Sequence, residues 1–236
     1  MYNKSAHLYD TVYQAMGKDY AAEARTIHEV ANQCKKTDGN TLLDVACGTG
    51  LHAGFLEEFY RVEGLDIADD MLAVAREKHP DIPFHQGDMR KFDLHRRFDV
   101  VTCLFSAIGY MKTTAELEQA IACMERHLLP GGVLFIEPWF TPEEWHEGSV
   151  HASFVDQPGL KIARMNVSER KGNLSFFNFH FLVGTDQGIE HFTEYHELTL
   201  FTEEEYLAAF RNNNLEVSHD PEGLYGRGLY IAVKPL

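Results

Sequence analysis

The chemistry legible in this chain starts from a glycine-rich turn and three acids. Asp44-Val45-Ala46-Cys47-Gly48-Thr49-Gly50 directly follows an apolar run. Glycines at such a place allow a tight turn and let a ligand approach the main chain. Asp66, 16 residues beyond Gly50, ends a second apolar run, and Asp88 follows a third. Open parallel sheets bind ligands at the carboxyl ends of their strands, where an acid after the second strand accepts hydrogen bonds from a ribose. Asp44, Gly48, Gly50, Asp66 and Asp88 are therefore expected around a nucleoside-containing ligand.

Two ligand chemistries compete for that turn. Gly48-Thr49-Gly50-Leu51-His52-Ala53 satisfies the dinucleotide fingerprint G-x-G-x-x-G/A, so NAD(P) and an oxidoreductase form one reading. A pyrophosphate favours a helix N-terminus without a neighbouring carboxylate, yet Asp44 precedes the glycines. A carboxylate there suits a cation. S-adenosyl-L-methionine (SAM) carries a sulfonium and an α-ammonium and no phosphate, and the Asp-x-x-x-Gly-x-Gly form favours it, with NAD(P) kept as the alternative. Other constellations are poorer. His191 and His196 are five apart on an expected strand and so point to opposite faces. His146 and His151 share that spacing with no acid placed beside them, and no metal is expected. Ser106 lacks the Gly-x-Ser-x-Gly setting of a hydrolase nucleophile, and Cys103 lies within an apolar run and reads as core.

These residues need elements to hold them. Ala21, Ala24, Ile27, Val30, Ala31 and Cys34 recur at helical spacing, predicting a helix over Asp19 to Lys36 with Asp19 as N-cap. Strands are predicted at Thr41–Ala46, Tyr60–Ile67, Ile82–His85, Phe98–Phe105 and Val133–Ile136. A helix capped by Asp69-Asp70 runs from Met71 to Lys78, and another from Thr114 to Leu129 is closed by Pro130-Gly131-Gly132. This alternation, with strands apolar on both faces, predicts an α/β fold: a doubly wound, mostly parallel Rossmann-like sheet. After Pro138 the pattern changes to Val150–Val155, Leu160–Ser168, Asn173–Val183 and Ile189–Phe201, strands joined by turns. Phe177, Phe179, Phe181 and Val183 alternate on one face, so an antiparallel β excursion is expected after the fifth strand. A helix capped by Thr202 through Arg211 and strands at Leu215–His219 and Leu229–Val233 return to the main fold. The division expected is 1–137 with 202–236 as the ligand-binding domain, and 138–201 as the insertion.

The net charge of 21 − 36 = −15 argues against a nucleic-acid partner, which needs a basic stripe, and against an anionic membrane surface. No apolar run reaches the ~20 residues of a membrane span, and Met1 to Asp10 has no signal-peptide pattern. Cys34, Cys47, Cys103 and Cys123 form no Cys-x-x-Cys pair. Free thiols and a cytoplasmic location are expected. The Phe176–Phe181 cluster reads as core or as a subunit interface, and a homodimer is expected because an open antiparallel sheet leaves an apolar face and an edge to cover.

Asp44-x-x-x-Gly48-x-Gly50, Asp66, Gly87-Asp88-Met89 and the helix ending Leu129-Pro130-Gly131-Gly132 resemble a class I SAM-dependent methyltransferase. Gly17-Lys18-Asp19-Tyr20-Ala21-Ala22-Glu23-Ala24, His85-Gln86-Gly87-Asp88-Met89-Arg90, Glu137-Pro138-Trp139, Leu198-Thr199-Leu200-Phe201 and Gly226-Arg227-Gly228-Leu229 are similar to the N,N-dimethyltransferases of TDP-3-amino-deoxysugars, the desosamine and mycaminose type. The resemblance implies SAM as cofactor, with S-adenosyl-L-homocysteine as product, and cofactor contacts from Ala46, Gly48, Asp66, Asp88 and Met89. It further implies that Met71 flanks the adenosine, Phe105 borders the methionine end and Tyr20 helps close the pocket. Tyr9 and Tyr110 match positions near the acceptor amine, Arg227 one suited to the nucleotide diphosphate, and Trp139 the acceptor pocket. Two positions depart: some members have histidine where Tyr110 stands, and paired tryptophans often follow Glu-Pro where Trp139-Phe140 occurs here.

The implied reaction is methyl transfer to the amine of a small acceptor, most naturally a TDP-linked amino-deoxysugar in secondary metabolism such as antibiotic biosynthesis. The alternatives are N- or O-methylation of another small metabolite and, less favoured, NAD(P)-dependent oxidation. An in-line displacement needs an aligned neutral amine and no obligatory base, so Tyr9 and Tyr110 are expected to position it.

Overall fold

Amphipathic stretches and doubly apolar runs settle into two sheets in the computed structural model, which describes residues 5–236. After a short 3₁₀ turn at Ala6–Leu8 come α1 (Tyr9–Ala15) and α2 (Tyr20–Cys34). Asp19 caps α2 as expected, its side chain accepting the Ala22 N–H at 2.9 Å. Then follow β1 (Thr41–Val45), α3 (Leu51–Leu56), β2 (Arg61–Asp66), α4 (Asp69–Lys78), β3 (Phe84–Gln86), β4 (Phe98–Cys103), α5 (Thr114–Arg126) and β5 (Leu128–Ile136). The antiparallel run comprises β6 (Val150–Gln157), β7 (Leu160–Val167), β8 (Glu169–Lys171), β9 (Leu174–Thr185) and β10 (Gly188–Thr199). The chain closes with α6 (Glu203–Asn212), β11 (Glu216–Asp220) and β12 (Leu229–Val233). Thr202 begins α6 with a full capping box, its hydroxyl accepting from Glu205 N while the Glu205 carboxylate accepts from Thr202 N.

The main sheet has seven strands in the order β11-β12-β5-β4-β1-β2-β3. Pairs β3–β2, β2–β1, β1–β4 and β4–β5 are parallel, and β12 and β11 add an antiparallel edge. Neighbouring residues of one strand feed opposite faces. Leu42 packs with Ala24, Ile27, Ala31 and Leu56 from α2 and α3. Leu43 packs with Leu117, Ile121 and Phe210 from α5 and α6. Burial on both faces explains the continuous apolar character of these strands. Strand order reverses between β1 and β4, so their carboxyl ends open a crevice where such sheets take ligands.

Several boundaries differ from expectation, four of them for a visible structural reason. Asp69 and Asp70 lie in the first turn of α4, whose N-cap is Ala68, and there they complement the positive end of the helix dipole instead of capping it. The third strand begins at Phe84, because Ile82 turns back to hydrogen-bond His79 O. β4 ends at Cys103 because Phe105 and Ser106 take positive φ. Helix α5 ends at Arg126, and Pro130-Gly131-Gly132 lies inside β5, where the register with β4 shifts and Gly131 has φ +78°. The segment that reads as a helix stop is an irregular, bulged stretch within β5, five residues on β5 spanning two on β4.

The second sheet has the order β10-β9-β7-β6, with β8 also paired to β9. Phe177, Phe179, Phe181 and Val183 share its inner face, buried against Leu8, Val12, Trp139 and Trp145. The N-terminal segment thus covers the phenylalanine row from within the chain. The outer face keeps Val150, Phe154, Met165, Leu182 and Ile189 exposed.

Candidate functional site

The glycine turn is built from alternating left-handed residues: Ala46 (φ +59°), Gly48 (+56°) and Gly50 (+76°). This conformation folds the chain back so that Gly50 N–H reaches Cys47 O at 3.0 Å. The two glycines do different work. A Cβ on Gly48 meets nothing within 4 Å, so this residue faces open space. A Cβ on Gly50 meets Phe84 at 3.0 Å and Ala75 at 3.2 Å, so Gly50 serves the packing of the turn onto α4 and β3. Gly50 lines neither of the two spaces described below.

The three acids stand at the strand ends as anticipated, each in a different state. Asp44 is 2% exposed and accepts from Thr102 Oγ1 at 2.8 Å. Burial pushes its pKa up to about 6. Asp66 accepts Gly48 N–H at 2.9 Å and Ala68 N–H at 2.8 Å, which ties the turn to the end of β2. Burial raises its pKa too, against those hydrogen bonds. Asp88 is clasped by Arg90, with contacts of 3.0 and 2.6 Å from Nε and Nη2, and this hydrogen bonding holds its carboxyl below the usual range. Arg90 reaches on to Glu116 at 2.5 Å.

A cavity of about 330 Å³ opens at this crevice. Ala46, Gly48, Asp66, Met71, Asp88 and Met89 line it, together with Phe105, Tyr9 and Tyr110. A smaller recess shares Tyr9, Ala46, Gly48 and Phe105 and adds Asp44, Tyr20 and His52. The structure therefore brings together all the expected cofactor positions except Gly50. Trp139 and Arg227 line neither space. Trp139 lies on the inner face of the second sheet, donating to Ser175 Oγ at 2.9 Å beside Trp145 and Phe177.

Several contributors carry no sequence signature. Lys18 is buried and paired with Glu23 at 2.6 Å, and the same carboxylate meets His52 Nε2 at 2.6 Å. The Lys18 ammonium stands 4.1 Å from the Phe105 ring centre. Phe105 and Ser106 (φ +51° and +62°) form a strained pair. The turn is held by Glu137, which accepts Phe105 N–H at 2.6 Å, by Ser106 Oγ donating to Pro138 O at 2.5 Å, and by Arg227 donating to Ser106 Oγ at 2.7 Å. The only signal for Lys18 and Glu137 is their place inside two of the five segments quoted for the resemblance. Ser106, dismissed as a nucleophile, is here a backbone clamp. On the far wall Tyr110 meets His196 Nδ1 at 2.8 Å, and α1 is tied to the glycine turn by Thr49 Oγ1 donating to Asp10 at 2.6 Å.

The donor set fits a sulfonium nucleoside better than a dinucleotide. Among the described residues, no lysine or arginine lines the recess beside Asp44. In the larger cavity Arg90 is committed to Asp88 and Glu116, and Lys112 to Glu197. The Tyr20 hydroxyl, which lines the recess, is buried without a hydrogen-bond partner among the described residues. Buried polar groups of that kind ordinarily find one, and the amino-acid end of SAM supplies both charges and hydrogen-bonding atoms. His191 is exposed on the outer face of the second sheet and His196 buried on the inner one, the opposition expected from their spacing.

A methyltransferase-domain family model matches residues 42–132. The dTDP-3-amino-3,4,6-trideoxy-alpha-D-glucopyranose N,N-dimethyltransferase of Streptomyces venezuelae is 44% identical over 230 residues, covering 97% of each chain. The crystal structure of Streptomyces venezuelae DesVI matches with a TM-score of 0.94 and 42% identity over 99% of both chains. SAM-bound CalS10, an amino pentose methyltransferase from Micromonospora echinaspora, matches with a TM-score of 0.89 and 41% identity over 96% of both.

Proposed function

The chain belongs to the SAM-dependent N,N-dimethyltransferases of dTDP-linked amino-deoxysugars, and from that membership we propose that it methylates the amine nitrogen of a TDP-linked amino-deoxysugar. One observation carries the reading: Tyr9 and Tyr110 share a cavity with the glycine turn, Asp66 and Asp88. When bound, S-adenosyl-L-methionine supplies a methyl group on a sulfonium that an amine lone pair displaces in line, with S-adenosyl-L-homocysteine as product.

The protein's part is placement. Asp66 offers its remaining lone pairs to the ribose hydroxyls, Asp44 sets a carboxylate beside the cationic end, and Met71 and Met89 give apolar walls to the base. Tyr9 keeps its proton, since burial raises its pKa well above the ordinary tyrosine range. It therefore holds the neutral amine by hydrogen bonding and does not act as a phenolate base. With Tyr110 it fixes the nitrogen behind the methyl, and alignment of this kind accounts for ~7–11 kcal/mol of a barrier. Arg227 makes no ion pair with a carboxylate among the described residues, which leaves a guanidinium for the diphosphate, next to Trp139 at 5.4 Å. Turnover on a panel of amino sugar nucleotides, simple amines and alcohols, read as the mass of one or two added methyl groups, tests the acceptor. Unchanged kcat and acceptor KM in both Tyr9→Phe and Tyr110→Phe would refute the tyrosine roles.

We assign residues 138–201 to the acceptor side and to self-association. The outer face of the second sheet exposes Val150 (75%), Phe154 (66%) and Ile189 (78%), a patch suited to a homodimer. A monomeric mass by light scattering at micromolar concentration counts against it. Among the described residues no helix is long and apolar enough to cross a membrane, and the four cysteines are free, which supports a cytoplasmic enzyme. Cell fractionation checks that assignment. CalS10 is described as involved in calicheamicin biosynthesis. That supports a role in antibiotic-type secondary metabolism, and disruption of the gene should remove a dimethylamino sugar from the final product.

A further inference from the structure

The Tyr110 hydroxyl lies 2.8 Å from His196 Nδ1. Tyr110 ends the 3₁₀ turn at Ala107–Tyr110 and lines the cavity, whereas His196 comes from the middle of β10, 86 residues later. His196 is 1% exposed, and its ring stacks on Phe177 (5.6 Å, 24°) and meets Phe179 at 5.3 Å. This is a fixed imidazole in an aromatic wall. Burial lowers its pKa to about 4, so it is neutral at physiological pH. A phenol is a stronger donor than an imidazole N–H, and an imidazole nitrogen a stronger acceptor than a phenol oxygen. The favoured bond therefore runs from Tyr110 O–H to His196 Nδ1.

We infer that His196 is a positioning residue that accepts a hydrogen bond from the Tyr110 hydroxyl and so orients a lone pair of the Tyr110 oxygen toward the N–H of the acceptor amine. The inference rests on the reading of Tyr110 as an amine holder and deepens it. A primary amine and its monomethyl product each have an N–H to give this oxygen, and the dimethyl amine has none once its proton has passed to solvent. The pair thus grips the substrates of the first and second transfers alike and releases the tertiary amine. Because the imidazole is desolvated, it accepts that hydrogen bond without carrying the amine proton away. The amine proton leaves with the product and passes to solvent.

The test compares Tyr110→Phe, His196→Phe, the double variant and His196→Asn, with S-adenosyl-L-homocysteine affinity by calorimetry reporting an intact cofactor site. Phenylalanine keeps a ring in the aromatic wall and removes the acceptor. His196→Leu is the second acceptor-less variant should the first fail to fold. Asparagine can place Oδ1 near the former Nδ1. His196→Phe and Tyr110→Phe should each lower kcat/KM for the amine about tenfold, the worth of one well-made hydrogen bond. Both should accumulate monomethylated product with unchanged cofactor affinity. The double variant should be no worse than either single one, the mark of two residues acting as a unit, and His196→Asn should restore most of the loss and the second methylation. Multiplied losses in the double variant, or an impaired Tyr110→Phe beside an unimpaired His196→Phe, overturn the inference and leave the amine-holding role of Tyr110 standing. A Tyr110→Phe variant with parental kinetics overturns both.

Discussion

The two walls of the cavity are constructed on different principles. The wall proposed for the cofactor is made of backbone and of acids at strand ends: Ala46 and Gly48 at positive φ with Gly50 packed behind them, Asp66 bonded to Gly48 N–H, Asp44 bonded to Thr102. All of it lies at the carboxyl edge of β1, β2 and β4, where the parallel sheet places it. The wall proposed for the acceptor is made of side chains gathered from distant segments. Tyr9 from α1 and Tyr110 from a 3₁₀ turn line the cavity, while His196 from β10 and Arg227 from the loop before β12 stand outside its lining and reach it through Tyr110 and Ser106. A sheet edge is a frame shared by any ligand placed on it, whereas a wall of converging side chains can be rebuilt one residue at a time. That contrast explains how a constant methyl donor and a variable amine can be served by one crevice.

The sharpest way to break the comparison is to remove the residue that binds the turn to the sheet. Asp66→Ala loses two charge-assisted hydrogen bonds within the protein as well as any to ribose, and bonds to charged groups contribute about 1.5–3 kcal/mol each. S-adenosyl-L-homocysteine affinity should fall by at least two orders of magnitude, on the order of 3 kcal/mol. A loss below tenfold by calorimetry would mean that the backbone turn holds its shape without the acid. The two glycines divide the same wall into structure and ligand contact. Gly50→Ala forces a Cβ against Phe84 at positive φ and should cost about 2 kcal/mol of stability. In Gly48→Ala the methyl points into open space, so the ligand affinity should suffer more than the melting temperature. Equal effects of the two variants on both measurements would erase the distinction.

This difference also decided what the sequence disclosed. Asp44, Gly48, Asp66 and Asp88 could be placed because each follows an apolar run by a fixed offset, and a parallel strand converts sequence offset into position. The capping box at Thr202 and the alternation at Phe177 to Val183 were legible for the same reason, as local periodicities. Pro130-Gly131-Gly132 misled because glycine at positive φ serves a helix end and a bulge equally, and only the pairing of β5 with β4 chooses. Lys18 with Glu23 and His52, Ser106 with Arg227, and Tyr110 with His196 depend on contacts across 5 to 121 residues, and no spacing rule encodes them. The phenylalanine row showed its inner face but not its cover, which Leu8, Val12, Trp139 and Trp145 supply from elsewhere in the chain.

Acid titration sharpens the electrostatic side of the cofactor wall. Asp44 has its pKa raised to about 6 by burial, above the ordinary value of 3.8. In the folded protein it therefore holds a proton more tightly than in the unfolded chain. Its contribution favours folding below pH 3.8 and is progressively lost as the pH rises from there to about 6. Ligand binding runs the other way. A cationic end held by Asp44 requires the carboxylate, so SAM affinity should rise as the pH climbs to about 6 and level off above it. Below that pH the fall should approach roughly tenfold per unit, the limit for one coupled proton. Burial raises Asp66 as well, so the Asp44→Asn variant isolates the share due to Asp44. If that variant keeps the full slope, Asp44 does not face the charge.

Phe105 belongs to both walls, and its turn shows where they join. Its left-handed backbone is paid for by three contacts, from Glu137, Pro138 and Arg227, of which two pass through Ser106 Oγ. Ser106→Ala deletes both of these and leaves Glu137 in place. Losing neutral or singly charged hydrogen bonds of this kind costs about 1–2 kcal/mol when the partners can turn to solvent. The released guanidinium of Arg227 would then lie free beside Trp139 and Phe140 at 5.4 and 5.7 Å. We expect acceptor KM to rise several-fold, because Arg227 loses its anchor, while S-adenosyl-L-homocysteine affinity falls by less than threefold, because Glu137 still fixes Phe105 N–H. The reverse split, a weakened cofactor with an unchanged acceptor KM, would place Arg227 with the cofactor wall. Its guanidinium would then act as a brace for the Phe105 turn, and the diphosphate would need another cation.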